Sequence, residues 1–129
     1  MSTNIIGDWS ITIAYEGGMH YEEHVTFHEN GQISAQGGDQ KLIGLWSQKE
    51  NTDVVAVTME SNQFEKLILN LVGTYTSYWI MDHLYGNGVD ALQGYEAPIP
   101  VTWAGSRYFS ISDKLTAENH KEKRATLLG

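Results

Sequence analysis

His20-Tyr21-Glu22-Glu23-His24 is the densest run of proton-handling side chains in the sequence. Its H-x-x-E-H spacing grips one zinc ion when it is carried on a helix, where residues four apart share a face. Here Gly17-Gly18 precedes the run and Val25-Thr26-Phe27 follows it, so the segment reads as a strand. Residues four apart on a strand are separated by ~13 Å. One zinc with bonds of ~2 Å cannot bridge that gap, and the expectation is no metal site. A strand instead sorts the run by face. His20, Glu22, His24, Thr26 and His28 fall on one side and are read as the solvated one. Tyr21, Glu23, Val25 and Phe27 fall on the other, where a carboxylate among apolar neighbours suits proton transfer.

The elements around this strand come from period-two alternation broken by turn residues. Trp9 to Tyr15 alternates large apolar with small residues, and Glu16-Gly17-Gly18 ends it. Asn30-Gly31 is a hairpin turn of the kind that takes positive φ. Further strands are expected over 32–35, 41–47, 53–60 and 64–72, with a tight turn at Gly73-Thr74. The seventh runs from Tyr75 to Tyr85 and the last from Val101 to Ile111, with an irregular stretch, Gly86 to Pro100, between them. Eight strands with one apolar face abolish their edges by closing. The fold expected is therefore all-β, an eight-stranded antiparallel up-and-down (meander) β-barrel over residues 1–111. Residues 112–129 are a polar tail expected to be helical from a Ser112 cap, either solvated or contacting another subunit in a homo-oligomer.

Gly7-Asp8-Trp9 on the first strand and Trp103-Ala104-Gly105-Ser106-Arg107 on the last resemble the calycin superfamily, the lipocalin-like and avidin-like small barrels. The resemblance implies that Arg107 covers the Trp9 indole at a closed barrel end, a pairing with a cation–π rationale. It also implies a ligand chamber opening at the opposite rim, and small apolar ligands. The rim connections would be 16–19, 37–40, 61–63 and 86–100, the last long enough for a lid. The Thr-Asp-Tyr motif of secreted lipocalins is missing, and so is the biotin-holding pattern of avidins.

An inward Trp9 carries Ile11, Ile13 and Tyr15 to the same face, and an inward Arg107 carries Gly105 and Trp103. In the seventh strand the phase Tyr75, Ser77, Trp79, Met81, His83, Tyr85 competes with Tyr78, Ile80, Asp82, Leu84. The first is preferred because it places an indole mid-barrel. Ile11, Ile13, Tyr15, Tyr21, Trp79, Met81, Tyr85 and Trp103 are then the candidate ligand-binding residues. Such a chamber leads to an intracellular carrier of a small, largely apolar or aromatic molecule. An alternative is a cofactor-independent cyclase or isomerase, with Glu23 or His83 moving a proton and Tyr15 or Tyr21 polarising a carbonyl. A third is a structural or interaction module with a solid barrel.

Charge narrows the partners. Residues 1–109 hold 13 acidic side chains against four basic ones, a balance of −9, within a net charge of −8 for the 129-residue chain. An acidic body repels phosphate backbones and anionic bilayers, so neither nucleic acid nor membrane is expected as a partner. No phosphate-binding loop, nucleophile elbow or catalytic cysteine is present, and no cofactor is expected. The absence of cysteine and of an apolar leader after Met1 fits a cytoplasmic protein.

Overall fold

The computed structural model describes residues 5–37, 40–61, 68–77, 81–91 and 97–108. Eight strands run β1 Gly7–Tyr15, β2 His20–Phe27, β3 Gln32–Ala35, β4 Leu42–Gln48, β5 Val54–Glu60, β6 Ile68–Ser77, β7 Met81–Asp90 and β8 Ile99–Tyr108. Each pairs antiparallel with the next, and β8 returns to β1, so the sheet closes into an up-and-down barrel without a crossover. Among the described residues there is no helix; the tail 112–129 lies outside them.

Strict alternation sets the inside. In β5, Val55, Val57 and Met59 are buried while Val54, Ala56, Thr58 and Glu60 are exposed, and β6 repeats the pattern with Leu69, Leu71, Gly73 and Tyr75. The inward side chains form one core that joins every strand. In β4 the register with β3 shifts, so that Ile33 faces Gly44 and Ser34 faces Leu42. Ile43 is the extra residue and is buried too.

β6 and β7 correct the sequence reading. Gly73 is not a turn, because β6 runs straight through it to Ser77. Gly86 to Asp90 is not irregular either, because it completes β7. The reason is packing. Trp103, Gly86 and Gly73 lie side by side on the inner wall of three neighbouring strands. A Cβ on Gly73 would come within 2.6 Å of the Trp103 ring, and one on Gly86 within 2.7 Å of its Nε1. The two glycines therefore clear a bed for the indole, whose Nε1 donates to the Val72 carbonyl at 3.0 Å. Their residue type signals a close approach, not a reversal.

The chain actually reverses between Ser77 and Met81, and this inverts the phase of β7. Tyr75 points inward, but in β7 Asp82 and Leu84 are the buried residues. Met81, His83 and Tyr85 share the opposite, outer face; Tyr85 is 53% exposed. The preferred phase is thus correct for Tyr75 and wrong for Met81, His83 and Tyr85. Trp79 lies outside the described residues. The lid-length loop shrinks accordingly, to the connection between Asp90 and Ile99.

Candidate functional site

The barrel's two ends differ in what they bury. At the Arg107 end, the segment before β1 folds across the opening. Trp9 Nε1 donates to the Ile5 carbonyl at 2.7 Å, and Arg107 Nη1 donates to the Ile6 carbonyl at 2.6 Å. The Arg107 guanidinium stands 4.7 Å from the Trp9 ring centre, in cation–π range. Its Nη2 reaches Asp82 at 2.8 Å, and Ser77 Oγ donates to the other carboxylate oxygen at 2.9 Å. Gly7 permits the approach: its φ is +128°, and a Cβ there would sit 3.2 Å from Arg107 Nη1. Below this latch Trp9 meets Phe27 and Tyr75 edge to face, and Phe27 meets Trp46 in the same way. Burial raises the Tyr75 pKa.

The middle of the barrel is filled. Ile11, Ile13, Val55, Leu69 and Leu84 have no solvent-accessible surface, and Trp103 has 2%. Of the candidate ligand-binding residues, Ile11, Ile13 and Trp103 are therefore a packed floor.

At the Tyr15 end the inner wall becomes polar. Tyr15 closes β1 and Tyr21 is the second residue of β2, and their rings stack with centres 6.3 Å apart and planes inclined by 26°. Tyr15 donates to Asp90 at 2.7 Å. Ser61, just past β5, donates to Glu23 at 2.5 Å. Glu23 and Asp90 are 1% and 3% exposed, whereas both tyrosines are only half-buried.

Burial, reinforced by its bond to Asp90, pushes the Tyr15 hydroxyl far above its ordinary value. Burial and the charge of Glu23 push Tyr21 up to about 12, against the opposing pull of the Ser61 and Tyr15 hydroxyls. At neutral pH both phenols are protonated, as tyrosines ordinarily are, and Tyr15 donates to Asp90. The five groups form one run across the barrel end: Asp90, Tyr15, Tyr21, Ser61 and Glu23.

Sequence reasoning placed Tyr15, Tyr21 and Glu23 on the inner wall, and they lie together there. It missed Asp90 and Ser61, both assigned to connections. It also missed Asp82, the Arg107 partner. His83, proposed beside Glu23, is instead on the outer face of β7, stacked on Tyr85 with ring centres 5.5 Å apart. The H-x-x-E-H run is split as well. His20 and His24 are exposed on the outer face, where Glu22 lies 3.6 Å from His24, and Glu23 faces inward. Among the described residues no group of three His, Asp or Glu side chains could hold a metal ion.

The outer wall carries a furrow of its own. Thr12, Ala14, Asn87, Thr102 and Ala104 line a groove of about 390 Å³ along β8, with Tyr85 beside it. Its lining is uncharged and mostly small.

No protein-family model matches this chain, and no curated protein or solved structure matches it.

Proposed function

We propose that the barrel binds a small organic molecule at its Tyr15 end, in a mouth formed by Tyr15, Tyr21, Glu23, Ser61 and Asp90. The observation that carries this reading is the burial of two carboxyl groups, Glu23 and Asp90, at one barrel end above an apolar middle. Desolvating a carboxylate is expensive, and a stable barrel has no need of one there. Costly titratable groups with shifted neighbours, converging beside an apolar floor, are the usual mark of a binding site. The Trp9–Arg107 latch supports the lipocalin-like resemblance, in which the end opposite the latch receives the ligand. On this reading the ligand rests above Trp103 and Ile13, which are buried in the packed middle.

A second reading keeps the same mouth and adds chemistry: a cofactor-independent cyclase or isomerase. The run of hydroxyls between Glu23 and Asp90 favours it. With His83 outside, Glu23 or Asp90 would take the proton, and Tyr15 or Tyr21 would polarise a carbonyl.

Backbone amide NMR during titration with 2-phenylethanol, a neutral aromatic probe, tests the mouth. Shifts gathered at residues 15, 21–23, 61 and 90 are the expected result. Shifts gathered at 85–87 and 102–104 would move binding to the outer furrow and contradict the reading, as would no shifts at all.

A further inference from the structure

We infer that the outer wall of β6, β7, β8 and β1 is a contact between two copies of this chain. They pair about a two-fold axis, with the Tyr85 ridge of each copy against the furrow of the other. The inference does not depend on the mouth reading.

Charge singles out this wall. The chain holds 16 acidic side chains and a net charge of −8. Every second residue of β6, β7 and β8 faces outward, and none of these is Asp, Glu, Lys or Arg. The wall continues uncharged over Ser10, Thr12 and Ala14 of β1, with Asp8 and Glu16 beyond its two ends. Charge returns on the next strand, where Glu22 lies beside His24. Two copies of an acidic chain repel each other in most orientations, and like charges brought into one contact oppose it. On this wall two copies can meet without that opposition. A basic partner would instead be drawn to the acidic sides of the barrel.

The wall is also complementary to itself. Val72 and Tyr85 are 54% and 53% exposed on neighbouring strands, large apolar side chains that a monomer leaves in water. Tyr85 is braced by the stacked His83 ring. Beside this ridge runs the furrow of about 390 Å³, lined by the small side chains of Thr12, Ala14, Thr102 and Ala104. A second hollow of about 330 Å³ extends it past Pro100 to Glu16 at the rim. A ridge and a furrow side by side on one patch are what an isologous contact needs, since a two-fold axis between them seats each ridge in the opposite furrow. Four strands at ~4.8 Å spacing and about nine residues at ~3.3 Å give the wall roughly 600 Å² in projection. That is the low end for a specific contact, so the dimer is weak and forms as concentration rises.

Sedimentation equilibrium of the full chain, from micromolar to millimolar concentration, tests the inference. A reversible monomer–dimer equilibrium is the expected result. Thr102→Glu places a charge twice over in the contact and should raise the dissociation constant at least about tenfold. Asn87→Asp, nearly isosteric, should raise it by a smaller factor. Both side chains are exposed, so neither substitution disturbs the core. Leu45→Glu adds the same charge on β4, across the barrel, and should leave the dimer as it is. A monomer at every concentration overturns the inference. So does a dimer that Thr102→Glu and Asn87→Asp leave intact, which would be held by residues 112–129 or by another face. Equal weakening by Leu45→Glu also overturns it, because net charge alone would then be responsible.

Discussion

Asp82 at the Arg107 end and Glu23 and Asp90 at the Tyr15 end are almost equally buried, yet they are held in different ways. Asp82 accepts from a guanidinium that also covers Trp9 and ties down the chain before β1. Its charge is answered where it stands, and the answer locks a barrel end. Glu23 and Asp90 accept from the hydroxyls of Ser61 and Tyr15, beside two half-buried phenols. Those bonds tie no terminus down. The contrast separates a carboxylate paired to a guanidinium that closes a barrel end from two carboxyl groups in a hydroxyl network, which the proposed function assigns to the ligand.

Breaking the latch should have the largest effect. Arg107→Ala leaves Asp82 buried without its cation and uncovers Trp9, a loss of ~3–5 kcal/mol in urea-induced unfolding. Asp82→Asn combined with Arg107→Met should recover part of that loss, because the stranded charge is then gone. Next in size is Gly86→Ala. The new Cβ meets the Val72 carbonyl and the bed of Trp103, and overpacking of this kind costs about 1–3 kcal/mol. A Trp103→Phe background should recover little of the loss, because the closest contacts of the new Cβ are backbone atoms of β6.

Alkaline pH weakens the Tyr15 end in particular. Tyr21 is raised from its ordinary value of 10 to about 12, and Tyr15 is raised further. A tyrosine neutral in the folded chain and ionised in the unfolded one subtracts at most ~1.4 kcal/mol per pH unit, less where it is partly exposed. Its contribution is complete below pH 10. For Tyr21 it is lost as pH rises from 10 to about 12. Stability measured across that window should decline, and less steeply in Tyr15→Phe/Tyr21→Phe. The smallest effect belongs to the outer face: His83→Ala and Tyr85→Ala should each change stability by under ~0.5 kcal/mol and leave binding at the mouth unchanged.

Legibility in the sequence divides along the same line. The latch can be read through a resemblance: two short motifs like those of lipocalin-like barrels imply the pairing of Trp9 with Arg107, and the two side chains do meet. The phase of β2 is equally plain, since Val25 and Phe27 leave only one apolar side. β7 is not legible. Large residues occupy both phases of 75–85, so alternation cannot choose between them, and the reversal after Ser77 switches phase partway. Gly73, Gly86 and Gly88 imitate turn punctuation, although their role is to accept the Trp103 indole and the Leu71 side chain. Reading Gly86 as the start of a loop carries Asp90 into that loop as well. The missed signal is the period-two series Asp82, Leu84, Gly86, Gly88, Asp90, which puts two acids and two glycines on one face.

The central claim is that Glu23 serves the ligand and not the fold. Urea unfolding of Glu23→Gln, with and without 2-phenylethanol, tests it most directly. The predicted result is a midpoint at or above that of the parent protein, together with loss of the stabilisation that the alcohol gives the parent. A midpoint far below the parent, with the alcohol's stabilisation intact, would contradict it and make Glu23 a structural group like Asp82.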